Sequence, residues 1–141
     1  MMDEIEKKII DIIDKNREKI IAFATDIYKN PELGYKEERT SKKVLEILKD
    51  NSEEIETNLA ITGIKGYLKR RSSEEINVAL IGELDAVVSP DNPFADKKTG
   101  ACHACGHHTQ LAGIIGAALA LSDNEIKNSL DGNVVFFCGA G

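Results

Sequence analysis

Cys102-His103-Ala104-Cys105-Gly106-His107-His108 places two of the three cysteines and all three histidines of a 141-residue chain within seven positions. Thiolate and imidazole are the side chains that bind borderline-soft divalent metals. They also carry thiol exchange and acid–base chemistry near neutral pH. Upstream, Glu83-Leu84-Asp85 closes an apolar run. Residues two apart on a strand point to the same side, so the two carboxylates can serve one site, as a ligand and as the orienter of a ligand. Several chemistries stay open on these residues. One is a metal centre built from Cys105, His107 and the acids. Another is a structural metal knot using Cys102, Cys105 and the histidines. A third is a thiol–disulfide pair at the Cys-x-x-Cys spacing of Cys102 and Cys105. Packed thiols, satisfied imidazoles and solvated acids are the reading without function.

The elements that must position these residues follow from the apolar spacing. Ile5, Ile9, Ile12, Ile20, Phe23, Ala24 and Ile27 recur at helical steps and predict one amphipathic helix over residues 3–29. Asn30-Pro31 ends it, because the residue before Pro avoids the helical region. A second helix is predicted from Glu37 to Asp50, with Ser41, Val44, Leu45 and Leu48 on one face. Residues 54–59 form a weak strand candidate. Thr62-Gly63 reads as a turn, and Ile64 to Lys69 as a short strand with Gly66 at a close backbone approach. Arg70 to Glu75 is a polar connection.

Ile76 to Gly82 is the strongest strand. It is apolar without alternation after Asn77, which predicts cover on both faces. The long segment from Glu83 to Cys105, with Pro90, Pro93 and Gly100, reads as irregular. Gly106 to Leu121 reads as a buried helix whose Gly113 and Gly116 allow close packing on a sheet. Asp131-Gly132 is a turn, and Asn133 to Cys138 is a second apolar strand. Strand, helix and strand then form a βαβ unit with parallel strands and a right-handed crossover. In such units sites form beyond the carboxyl ends of the strands. Glu83 and Asp85 leave the first strand there. Cys105 and His107 sit at the helix N-terminus, whose partial positive charge favours thiolate.

Composition narrows the classes. A formal net charge of -6 offers no basic face for nucleic acid. Lys69-Arg70-Arg71 is too short for a phosphate patch and reads as a solvated turn. The acidic opening Met1-Met2-Asp3-Glu4 lacks the basic-then-apolar order of a secretory signal. The nearly apolar run from Leu111 to Leu121 is well short of the about 20 residues a bilayer span needs. The expectation is a cytoplasmic protein with no nucleic-acid or membrane partner, whose cysteines serve something other than a disulfide framework.

These residues resemble a known family, the metal-dependent amidohydrolases and peptidases that include aminoacylases, hippurate hydrolases, indole-acetyl-amino-acid hydrolases and aminobenzoyl-glutamate hydrolases. Asn30-Pro31-Glu32-Leu33-Gly34 with Glu37-Glu38-Arg39-Thr40-Ser41 resembles its first-helix exit, and Thr62-Gly63-Ile64-Lys65-Gly66 its short strand. Ile81-Gly82-Glu83-Leu84-Asp85-Ala86 resembles the strand bearing the catalytic Asp. His103-Ala104-Cys105-Gly106-His107 resembles the metal motif, and Gly132 to Phe137 the next strand. His108 stands where the family commonly has Asp or Asn, and Val87-Val88 replaces a common Leu-Pro.

The resemblance implies an α/β fold, the N-terminal part of a three-layer, mostly parallel-sheet, zinc-exopeptidase-like catalytic domain. It implies Asp85 as catalytic Asp and Cys105 and His107 as metal ligands. Glu83, His103 and His108 are possible additional site residues. It implies two divalent metal ions, zinc or manganese, with cobalt or nickel as alternatives. The implied substrates are N-acyl amino acids or small peptide-like amides. The family continues past this strand into a segment carrying a general-base Glu and a further ligand, whereas this chain ends Cys138-Gly139-Ala140-Gly141. The expectation is therefore that the rest of the catalytic domain and a dimerisation domain lie outside these residues. The 141 residues alone are expected to be nearly inactive, from a homodimeric parent, and able to self-associate through exposed sheet edges. The competing readings are a non-catalytic metal-binding module and a thiol–disulfide protein using Cys102 and Cys105.

Overall fold

The computed structural model describes residues 3–72 and 76–141. The polar connection expected over Arg70 to Glu75 therefore lies partly outside the described residues.

The predicted first helix is two helices, α1 (Glu4–Lys15) and α2 (Arg17–Lys29). Asp3 and Glu6 cap α1 reciprocally, each side chain accepting the other's backbone amide at 2.8 and 2.9 Å. Asn16 makes the break. Its side-chain amide donates to the Ile12 carbonyl at 2.9 Å, a local bond that competes with the helical ladder. α3 (Glu38–Asn51) buries Thr40, Val44 and Leu48, whereas Ser41 and Leu45 of the predicted face are half-buried. Its free N-terminal amides are capped from upstream: the Glu32 carboxylate accepts from Arg39 N at 3.0 Å and Thr40 N at 2.7 Å.

The strands β1 (Glu54–Leu59), β2 (Gly63–Tyr67), β3 (Asn77–Glu83) and β6 (Asn133–Gly139) form one sheet in the order β1-β2-β6-β3. β4 (Val87–Val88) and β5 (Ala101–Cys102) form a small antiparallel pair inside the segment predicted to be irregular. α4 (His107–Leu121) and α5 (Asn124–Ser129) connect β3 to β6. The short α5, capped by the Asp123 carboxylate, has no counterpart in the sequence reading.

β3 and β6 are parallel in register from Asn77↔Asn133 to Glu83↔Gly139, as expected for a βαβ unit. The β1–β2 and β2–β6 pairings are antiparallel, so the described sheet is mixed rather than mostly parallel. The reason is connectivity: β1 and β2 are joined by a short turn, which permits only an antiparallel pair.

The described residues form two layers, helices on one face of the sheet and an open opposite face. Phe136 and Cys138 of β6 and Ile64 of β2 are fully buried against Leu111, Ile115 and Ala118 of α4 and Val44 and Leu48 of α3. The other face carries Lys65, Tyr67, Ala79, Val135 and Phe137 along an open groove. β3 is consequently not covered on both faces. Among the described residues it is an edge strand, and Val78 and Ile81 are 55% and 68% exposed. Its continuous apolar run forms the expected strand, but among the described residues it is not covered on both faces. Gly116 of α4 meets Ile20 of α2 rather than the sheet, and Gly113 faces the groove beside Ile9 and Ile13 of α1. Gly66 makes its close approach to the Ser52 side chain. Among the described residues no helix is long and apolar enough to cross a membrane.

Candidate metal centre

The carboxyl edge of the parallel pair is held by backbone bonds on both sides. Leu84 N donates to Gly139 O at 2.8 Å, extending the β3–β6 pairing past the strand end. Ala86 N donates to Glu32 O at 2.7 Å, and Leu33 bridges Ala86, so the loop after α2 fixes the chain on the far side of Asp85. α4 starts at the same edge. Its N-cap is Gly106 at φ 87°, a left-handed conformation that costs a glycine little and lets the Cys105 loop turn sharply into the helix.

This scaffold brings Glu83, Asp85 and His107 into direct contact. His107 Nδ1 lies 2.8 Å from the Asp85 backbone oxygen and 3.4 Å from its Oδ1. His107 Nε2 lies 2.9 Å from Glu83 Oε2. The Glu83 amide in turn donates to Gln110 Oε1 of α4 at 3.2 Å. Gly141 N donates to Asp85 Oδ1 at 2.8 Å, so the segment after β6 crosses the same edge.

The two acids occupy opposite nitrogens of one imidazole. With Nδ1 donating to a carbonyl, a neutral ring presents the Nε2 lone pair to the Glu83 carboxylate, and two acceptors then face each other. A second ring proton, or a cation between them, resolves that contact. Among the described residues no three His, Cys, Asp or Glu side chains are set around a single point. Cys105 is an exposed free thiol, and Cys102 is buried and also free. The structure thus joins Glu83 to His107 directly, where the sequence reading made Glu83 only a possible additional site residue, and leaves Cys105 apart from that contact.

His103 and His108 lie behind this edge. Their rings are 5.5 Å apart between centroids, and His108 stacks on Tyr28 at 5.0 Å. His103 is 4% exposed, and neither of its ring nitrogens has a partner among the described residues. Burial pushes its pKa down to about 4, and the neighbouring His108 and His107 add to the shift. His108 Nδ1 is also buried without a partner, and its pKa is lowered by the same two causes, burial first and His107 second.

Sequence reasoning missed Glu32, which caps α3 and holds Ala86, and Glu37, which is fully buried. Both stand in the segment that carries the family resemblance. An acid placed just before a helix was the available signal for Glu32. Nothing local marks Glu37 as buried.

The donor types fit a divalent ion in kind: imidazole and carboxylate in contact, a thiol on the adjoining loop, and buried imidazole nitrogens without partners. No family model matches the chain. Individual proteins do. It is 35% identical over 128 residues to thermostable carboxypeptidase 2 of Saccharolobus solfataricus, covering 88% of this chain and 32% of that protein. Against hippurate hydrolase of Campylobacter jejuni it is 32% identical over 108 residues, covering 74% and 28%. The solved structure of the Bacillus subtilis YXEP protein, a dinuclear metal binding peptidase from the M20 family, superposes with a TM-score of 0.71 at 30% identity, covering 89% of this chain and 35% of that one. This chain is a homologue of the M20 amidohydrolases and peptidases. It spans about a third of the length of the curated relatives it matches. The M20 likeness thus covers most of this chain, and its mixed four-stranded sheet matches part of that fold.

Proposed function

We propose that this chain supplies part of a two-metal amidohydrolase centre that cleaves the amide bond of N-acyl amino acids or small peptide-like substrates. The carrying observation is the contact of Glu83, Asp85 and His107 at the carboxyl edge of β3 and β6. Further support comes from relatives named as a hippurate hydrolase and a carboxypeptidase and from a structural neighbour named as a dinuclear metal binding peptidase.

Cys105 and His107 are the residues we assign to hold the ions, with Asp85 as the catalytic Asp that holds and polarises a ligand and Glu83 beside them. Zinc or manganese held there would lower the pKa of a water and polarise the amide carbonyl. The chain's own part is orientation. The Asp85 backbone oxygen accepts a hydrogen bond from His107 Nδ1–H, which fixes the tautomer and leaves Nε2 towards Glu83. Gln110 holds the Glu83 amide, and the loop from Glu32 to Leu33 holds Ala86. Cys105 stands, exposed, next to the N-cap of α4.

The test is calorimetric titration of the 141-residue protein with zinc or manganese, alongside release of glycine from hippurate. Binding that is lost in His107→Ala and weakened in Asp85→Ala supports the assignment. Binding that survives Asp85→Ala and vanishes with Cys102→Ser favours a non-catalytic metal module. The proposal includes that these residues alone hydrolyse hippurate at a trace level, because they span about a third of their relatives. Rapid metal-dependent turnover by the pure chain would overturn that part.

A further inference from the structure

Glu37 is the one acid among the described residues that is completely buried and only half satisfied. It is 0% exposed. Its Oε2 accepts from the Thr62 hydroxyl at 2.8 Å, and its Oε1 has no partner among the described residues. Burying a carboxyl with a free oxygen is costly, and such groups are retained where they fix something.

What Glu37 fixes can be traced outward. It is the N-cap residue of α3, and one turn later Ser41 donates its hydroxyl to Thr62 O at 2.6 Å. Both polar groups of Thr62, hydroxyl and carbonyl, are thus held by the first turn of α3. Thr62 directly follows Ala60 and Ile61 at φ 44° and 83°. For the β-branched Ile61 that is a strained conformation, and the surrounding contacts must hold it. On its other side Glu37 faces Gly34. A Cβ built on Gly34 would lie 3.9 Å from Glu37 Oε1 and 3.9 Å from Asp85 Cβ. The space beside the Gly34 backbone is thus bordered by both the buried carboxyl and the Asp85 side chain. The same short segment, through Glu32 and Leu33, carries the bonds to Ala86.

We infer that Glu37 is a positioning residue for Asp85: anchored by Thr62, it backs the Gly34 turn against which Asp85 and its carbonyl are set. This rests on the metal-centre reading above, and it acts on that centre only through Asp85 and the His107 bond to the Asp85 backbone. Glu37→Leu also leaves the buried Thr62 hydroxyl without its acceptor, which lowers stability in its own right, whereas Gln keeps that acceptor.

The experiment compares wild type, Glu37→Leu and Glu37→Gln in three readouts. These are the urea midpoint, cobalt(II) affinity from its visible absorption, and the His107 Nδ1 proton signal in metal-free protein. Expected are a Leu variant that folds with a somewhat lower midpoint, a cobalt affinity lower by about 10-fold, and a shifted or broadened His107 signal. Gln, which keeps an oxygen for Thr62, restores both site readouts. A Leu variant with wild-type affinity and a wild-type His107 signal overturns the inference. If wild type binds no cobalt while the His107 signal still responds to Leu and recovers with Gln, the positioning role stands and the metal reading falls. No cobalt binding and no response overturn both. Should Glu37→Leu fail to fold, Thr62→Val takes its place and Thr62→Ser serves as the rescue, with the same outcomes deciding.

Discussion

The ring of His107 is held by the backbone of Asp85, with Nδ1 2.8 Å from the Asp85 carbonyl oxygen. The Asp85 carboxylate is a second, longer neighbour at 3.4 Å. A catalytic role inferred for a side chain thus comes with a structural role for its main chain, and the two can be separated by mutation.

Asp85→Asn leaves the carbonyl in place. The expected outcome is a preserved His107 Nδ1 proton signal in metal-free protein together with a zinc affinity lower by about 10- to 100-fold. Proton NMR of the imidazole region and calorimetry check the two halves. Loss of the NMR signal would mean that the carboxylate, not the carbonyl, sets the ring.

The edge was legible in the sequence because the pattern that makes it is local. Apolar runs flanking a helix give a parallel pair, and Glu83, Asp85 and His107 fall at its carboxyl end by counting alone. What was not legible depends on contacts between distant segments. The break at Asn16 turns on a side-chain bond that the apolar spacing does not reveal. The antiparallel pairing of β2 with β6 joins residues far apart in sequence, Ile64 with Cys138. Exposure of Val78 and Ile81 depends on which strand sits beside β3, and an apolar run reads alike in an edge strand and a central one. Glu37 looked like any helix-start acid, and only the fold buries it under Thr62.

Two glycines separate backbone crowding from side-chain crowding. A Cβ on Gly132 would lie 2.5 Å from the Ile76 backbone oxygen, which also accepts from Asn133 N at 2.8 Å. A Cβ on Gly82 would lie 2.5 Å from Ile114 Cδ1, the far end of a flexible side chain. Gly132→Ala is expected to cost about 1–3 kcal/mol, and Gly82→Ala less, because Ile114 can turn aside. Urea unfolding of the two variants tests the order.

The three cysteines should label in a fixed order. Cys105 is exposed, whereas Cys102 and Cys138 are buried and free. Burial pushes the Cys138 thiol up to about 12, which leaves about one thiolate in 10⁴ at pH 8. Brief iodoacetamide treatment of native protein at pH 8 should modify Cys105 and spare Cys138, read by peptide mass spectrometry. A Cys102–Cys105 disulfide forming reversibly under the same buffer with a glutathione couple would instead revive the thiol–disulfide reading.

The same thiol gives stability an alkaline limb. In the unfolded chain Cys138 returns to its ordinary value of 9.0, while in the fold it keeps its proton up to about 12. Below pH 9 both states are protonated and the full contribution is present. Above pH 9 the unfolded chain sheds a proton that the folded chain retains, so stability falls as pH rises through the window from 9 to about 12. The limit of that loss is about 4 kcal/mol, and residual burial in the unfolded state reduces it. Cys138→Ala removes the titrating group and leaves a small cavity. It should therefore be less stable than wild type at pH 8 by about 1 kcal/mol, yet lose stability more slowly between pH 9 and 10.5. Urea midpoints measured across that range decide it: parallel curves for the two proteins would show that other groups carry the alkaline loss.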